Sequence, residues 1–100
     1  MTDVSTEEQL YGLRARAETN DVLVKYCRSV DRCDREIILS VFHEDAVDDM
    51  GSFRGTREEF ADRVIKLHTE QYVMTAHYVT NTRTIVEVER ARGECYMRVV

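Results

Sequence analysis

The spacing of apolar residues changes once along this chain, from steps of three and four to steps of two, and that change dictates the fold class. Leu10, Leu13 and Ala17 mark one helical stripe, and Leu23, Tyr26, Cys27 and Val30 mark a second. The polar residues 18–21 predict a break between them. Ser5 and Glu8 have the spacing of a capping box, which places a helix start there. Asp34 predicts the cap of a short helix carrying Ile37, Ile38, Val41 and Phe42. Residues 46–55 read as two short strands or a hairpin, with Gly51 and Gly55 at the turns. Thr56 and Glu59 repeat the capping-box spacing ahead of a helical face of Phe60, Val64 and Leu67. From Tyr72 the period falls to two: Val73, Thr75, His77, Val79 and Asn81 share one strand face, and Tyr72, Met74, Ala76 and Tyr78 the other. Thr84, Val86 and Val88 predict a following strand, residues 90–93 a turn, and residues 95–100 a last strand. Helices first and strands afterwards predict an α+β domain with helices covering one face of an antiparallel sheet.

At 100 residues the chain is expected to form one domain. It has no apolar run near the roughly 18–20 residues that cross a bilayer. Its first residues are acidic and polar where a signal peptide is basic and then apolar, so a soluble, cytoplasmic protein is expected. The formal net charge is −5, with Arg and Lys interleaved among Asp and Glu, which argues against nucleic acid as a partner, and with no spanning apolar run no membrane partner is expected either. Cys27, Cys33 and Cys95 are odd in number and lack CxxC spacing, which predicts reduced thiols and neither a disulfide framework nor a metal site.

Four segments in order resemble one known family. They are KYCRSVDRCD at residues 25–34, LSVFHEDAVDDMGSFRG at 39–55, the helix start TREEFADRV, and TAHYVTN at 75–81. Together they are similar to SnoaL-like proteins of the NTF2-like superfamily, from about Leu10 onward. The resemblance implies a cone, in which long N-terminal helices pack on a curved antiparallel sheet around a small-molecule cavity. Relatives implied by it include polyketide cyclases, scytalone dehydratase and bile-acid dehydratases. Two features depart from the family pattern. The chain stops inside the apolar stretch ECYMRVV, where the family continues with further strand, so the final strand or strands are expected to be missing or supplied by a partner chain. Met50 stands where related sequences commonly carry His after paired acids. Such cones commonly pair through the sheet, which implies a homodimer or higher homo-oligomer.

Asp31 and His77 are the first pair to weigh, because a carboxylate beside an imidazole fixes its tautomer and makes it a better base. Tyr26, on the same helix as Asp31, can hydrogen-bond a carbonyl and stabilise a developing enolate. In the dehydratases that the chain resembles, a helix Tyr, a helix Asp and a strand His play these roles. The resemblance therefore implies dehydration, isomerisation or cyclisation without metal or organic cofactor. Plainer readings stand beside this one. Asp31 can pair with Arg32 or Arg35, His77 can be a core histidine bonded to Asn81 or a carbonyl, and Tyr26 can be a core aromatic. Val30, Phe42, Phe53, Phe60, Val64, Met74 and Val79 are expected to line the pocket, with Asn81 orienting His77 or shaping the turn after it. An apolar lining with few polar groups suits a small hydrophobic ligand of polyketide, steroid or aromatic type.

His43, Glu44 and Asp45 with Asp48 and Asp49 could suggest a metal site, but the segment reads better as a solvated turn. His68 suits the negative end of a helix dipole, and Cys27 suits packing. A non-catalytic binding or assembly module, or the small subunit of an oxygenase, is the alternative to an enzyme.

Overall fold

The structure, a computed structural model, describes residues 4–100, so the first three residues of the polar N-terminus lie outside it. Helix α1 runs unbroken over Thr6–Asp31, with the Ser5 hydroxyl accepting from the Glu8 N–H. The break expected at residues 18–21 does not occur. That segment contains no Gly or Pro, and the Thr19 hydroxyl donates to the Ala15 carbonyl at 2.8 Å, which keeps its polar group inside the helix. The expected first stripe is also not the packed one. Leu10 and Leu13 are 59% and 63% exposed. Tyr11, Ala15, Thr19 and Val22 face the hairpin instead, and the Tyr11 hydroxyl donates to the Val88 carbonyl.

Cys33, at φ 53°, turns the chain sharply from α1 into helix α2, Arg35–Ser40, whose N-terminus is capped by the Asp34 carboxylate. Strands β1 (Val47–Asp49) and β2 (Arg54–Thr56) form an antiparallel pair, with Asp48 opposite Gly55. Gly51, at φ 80°, makes the turn, and the Met50 N–H donates to the Phe53 carbonyl at 2.8 Å. Helix α3 (Arg57–Gln71) opens with the complete capping box of Thr56 and Glu59.

Strand β3 covers His77–Val86 and pairs antiparallel with β4, Ala91–Val99. The two strands expected over 72–89 are one continuous strand, interrupted by a bulge between Thr80 and Arg83 with Asn81 at φ 53°. The turn expected at 90–93 lies earlier, closed by the Glu87 N–H donating to the Arg90 carbonyl. The strand expected from Tyr72 begins five residues later, at His77. Ladder bonding starts with Ala76 against Val100, and Val73 and Met74 stand 107% and 83% exposed ahead of it.

Helices followed by antiparallel strands make this an α+β fold. The single curved sheet expected is instead two open two-stranded sheets, β1–β2 and β3–β4, with no ladder bonds between them. Helices do the joining: α1 packs on β3, and α3 packs on β1 and β2. The buried core is Val30, Ile38, Phe60 and Ala61, one residue or more from each helix, with Tyr26, Phe42, Phe53 and Val64 packed against it. The described chain measures 54 × 28 × 24 Å, with a radius of gyration of 15.9 Å. A compact chain of this length has about 13 Å. The excess comes from the exposed first half of α1 and the projecting hairpin, and the concentrated packing lies at the other end, around the site.

Candidate functional site

The site forms where the C-terminal end of α1, the apolar face of α3 and the first residue of β3 converge. Asp31 is the last residue of α1, and His77 is the first of β3. The carboxylate grips the strand start at three points. Its Oδ1 accepts from the His77 Nδ1–H at 2.5 Å and from the Thr75 hydroxyl at 2.8 Å, and its Oδ2 accepts from the His77 backbone N–H at 3.0 Å. The His77 side chain is only 9% exposed and that of Asp31 19%. Thr75 is 7% exposed, so all three lie largely out of water.

These contacts decide the electrostatics. Burial alone would raise the Asp31 carboxyl, but the His77 backbone N–H, the His77 ring and the Thr75 hydroxyl outweigh it and hold the group below the usual carboxylate range. A charged Asp31 keeps the proton of neutral His77 on Nδ1 and leaves Nε2 as the basic nitrogen. The Arg32 and Arg35 partners considered for Asp31 are not the ones it takes. Arg35 pairs with Asp62 instead.

A cavity of about 240 Å³ adjoins the dyad, lined by Tyr26, Val30, Met50, Ser52, Phe53, Phe60, Arg63, Val64, Leu67, His68 and His77. Of the expected lining, Val30, Phe53, Phe60 and Val64 are present. Phe42 stands behind the wall, edge-on to Tyr26 and Phe60 at 6.3 and 5.6 Å between ring centres. It opens instead onto an adjoining hollow of about 370 Å³ that also holds Tyr26, Asp48, Asp49, Met50 and Met97.

Met74, Val79 and Asn81 lie outside the cavity. Met74 belongs to the exposed connection before β3. Val79 lies about 6–7 Å further along the strand than His77, which carries it past the cavity. Asn81 sits at the bulge, exposed and bonded to neither His77 nor the dyad, so its structural contribution is the bend in β3. His43, Glu44 and Asp45 are exposed on the loop before β1, and no group of three His, Cys, Asp or Glu residues is placed to hold a metal among the described residues.

Tyr26 lines both hollows and stacks on Phe60 at 6.1 Å. Burial, then the Asp48 carboxylate and Cys27, push its hydroxyl up to about 12, so it remains a proton-bearing donor throughout the neutral range. Asp48 carries a buried Oδ2 without a partner, and burial followed by repulsion from Asp49 raises its carboxyl. Burial, then Asp31 and Cys95, also raise the Cys27 thiol, which disfavours a nucleophilic thiolate and suits packing.

Five residues of the wall, Met50, Ser52, Arg63, Leu67 and His68, are not among the expected lining, and His68 is the titratable imidazole of the five. His68 follows Phe60 and Val64 at steps of four along α3, a spacing that puts all three on one helical face. Its ring lies nearly parallel to that of His77, 5.9 Å between centres and 21° between planes. Its Nδ1 donates to the Val64 carbonyl at 2.8 Å, while Nε2 is buried with no partner. An unmet buried polar atom of this kind costs roughly 1–3 kcal/mol. A separate hollow of about 350 Å³ on the outer side of α1, among Lys25, Arg28, Arg32 and Asp34, contains no imidazole or phenol.

A family model described as a SnoaL-like domain matches residues 12–100, and the chain belongs to that family. This is an NTF2-like family of small-molecule pockets, in agreement with the helices, antiparallel strands and cavity described above. No curated protein matches the chain. No solved structure matches it either. No helix among the described residues is long and apolar enough to cross a membrane.

Proposed function

We propose that this SnoaL-like chain binds a small ring-shaped organic molecule between α1, α3 and β3 and moves protons on it with its own side chains. The observation that carries the reading is the Asp31–His77 dyad on the wall of an apolar cavity. His77 Nε2 takes a proton from the carbon next to a substrate carbonyl. Asp31 stabilises the imidazolium that forms. The Tyr26 hydroxyl donates to the carbonyl oxygen as it becomes an enolate. The imidazolium then returns its proton. Delivered to a β-hydroxyl, it releases water and leaves a conjugated enone, which is dehydration; delivered to another carbon, it gives isomerisation.

Size narrows the ligand. The cavity of about 240 Å³ falls below the roughly 300–1,000 Å³ of ordinary ligand pockets. One or two rings suit it, and a larger skeleton such as a steroid has to extend past Tyr26 and Met50 into the adjoining hollow. A cytoplasmic homo-oligomer belongs to the same reading, supported by exposed Tyr78, Tyr96 and Val99 on the hairpin, and light scattering at several concentrations checks the assembly.

The test is deuterium exchange next to the carbonyl in a panel of cyclic ketones and β-hydroxy ketones, followed by NMR, with enone absorbance reporting dehydration. The intact chain is expected to exchange or dehydrate at least one compound, and His77→Ala to lose that activity while retaining its circular dichroism. Equal turnover by His77→Ala, or binding without any exchange, sinks the catalytic reading. The latter result indicates a ligand-binding module.

A further inference from the structure

Arg63 is the permanent charge on the wall of the cavity beside the dyad, and among the described residues that wall holds no Asp or Glu. The acids near Arg63 in sequence are taken. Asp62 pairs with Arg35, and Glu59 accepts from the Thr56 N–H in the capping box. Asp31 is not on the wall, and its oxygens are committed to His77 and Thr75. Among the described residues Arg14, Arg35, Arg57 and Arg92 each meet a carboxylate. Arg63 meets a ring instead, its guanidinium carbon 4.8 Å over the centre of Phe53. Because Phe53 also lines the cavity, that contact holds the guanidinium at the cavity rim, which the exposed residues Met50, Ser52, Arg63 and Leu67 make above a floor of buried Val30 and Phe60. A ring face attracts the charge but offers no lone pair to the N–H fork, which stays available to a ligand.

From this arrangement we infer that Arg63 is the carboxylate-binding residue of the cavity, and that the substrate is a cyclic ketone carrying a carboxylate. This rests on the pocket reading above and deepens it by naming the substrate class: a keto acid rather than a neutral ketone. Charge makes the choice. A carboxylate on the wall would repel an anionic ligand, whereas here the ligand meets a guanidinium, which takes a carboxylate through two parallel N–H···O bonds. Register along α3 sets the reach. Arg63 lies five residues before His68, whose ring stacks on that of His77, and five residues rise about 7.5 Å along a helix. That separation suits one ring with its acid at the rim and its ketone toward His77, the ring itself resting on Val30 and Phe60. The fork thereby fixes which end of the ligand reaches the base.

A cyclohexanone with a carboxylate on the ring carbon opposite the ketone, and the matching carboxamide, serve as the probe pair, titrated into the whole chain and followed by NMR. The two have the same shape and differ in charge. The carboxylate is expected to bind the intact protein roughly tenfold more tightly than the carboxamide. Arg63→Met keeps an apolar stem against Phe53 and removes the fork, and is expected to erase that preference. Arg63→Lys, which keeps a charge without the fork, is expected to retain part of it, and serves as the second variant if the first fails to fold. The N–H resonance of Arg63 Nε is expected to move with the carboxylate and not with the carboxamide. An unchanged preference in Arg63→Met, a still Nε resonance, or an intact protein that treats the two compounds alike or binds neither, overturns the proposal. Failure of the proton-transfer reading looks different: there the carboxylate preference survives, while His77→Ala leaves deuterium exchange next to the ketone unchanged.

Discussion

Asp31 holds His77 by both its ring and its backbone, one carboxylate oxygen to each, so the end of α1 and the start of β3 are fixed by a single side chain. The consequence is positional. An imidazole gripped only through its ring can swing with its strand, whereas here the ring and the main chain beneath it share one anchor. The same carboxylate also meets the Thr75 hydroxyl, which defines where the irregular residues before β3 give way to the ladder.

Asp31→Asn is therefore expected to lower stability by about 1–3 kcal/mol at neutral pH, since it replaces a charge-accepting anchor at a largely buried site. For a chain of this size each kcal/mol moves the thermal midpoint by roughly 4–8 °C, which a thermal melt reads directly. The sign with pH follows from the lowered carboxyl of Asp31. Its contribution is fully present above the unfolded-state value near 3.9 and is lost as pH falls through the lower folded value. Urea titrations are expected to show the gap between the intact chain and Asp31→Asn narrowing below about pH 4. A gap that stays constant down to pH 2 means the carboxylate is not the anchor.

Tyr26→Phe keeps the ring against Phe60 and Phe42 and removes only the hydroxyl. Stability is expected to change by less than about 1 kcal/mol, because the apolar contacts survive. Turnover of any ketone found active is expected to fall roughly 10²–10³-fold, the usual cost of losing one donor to a developing oxyanion. Steady-state kinetics separates the outcomes: a rise in KM with kcat intact shows that the hydroxyl binds ligand without stabilising the transition state.

Asp48→Asn is expected to stabilise the protein at neutral pH by a few tenths of a kcal/mol, up to about 1, the solvent near the strand reducing the effect. Asp48 has a buried, unpartnered oxygen and a carboxyl raised by burial and by Asp49. A raised carboxyl penalises the charged form, so the penalty is present above the folded value and disappears as the group protonates in acid. Chemical denaturation at pH 7 and pH 3 checks both halves, and a variant less stable at pH 7 shows that the carboxylate has a favourable role.

Local chemistry was legible in the sequence wherever one short segment carried it. The capping residues Ser5, Asp34 and Thr56 start their helices where their spacing says they do, and the α+β order follows from the change of period. The break expected at 18–21 does not occur because polarity alone does not interrupt a helix: a helix face can be polar when its hydroxyls bond back to their own turn. The place of His68 in the cavity wall is not legible locally for a related reason. At the end of α3 it satisfies a dipole argument as well as a pocket argument, and the sequence does not show that the strand opposite brings a second imidazole to it.

What the sequence by itself determined is the set of elements and the residue types able to do acid–base work, since periodicity and capping act over a few neighbouring positions. The tertiary structure alone decided that residues 46 positions apart would be hydrogen-bonded, and that Met74, Val79 and Asn81 would fall outside the cavity. It also decided that two hairpins would be joined by helices and not by a common sheet. The physical reason is range. Local rules set the direction of each side chain on its own helix or strand, but the distance between two such side chains depends on how whole elements pack, and that is fixed by the shared burial of Val30, Ile38, Phe60 and Ala61.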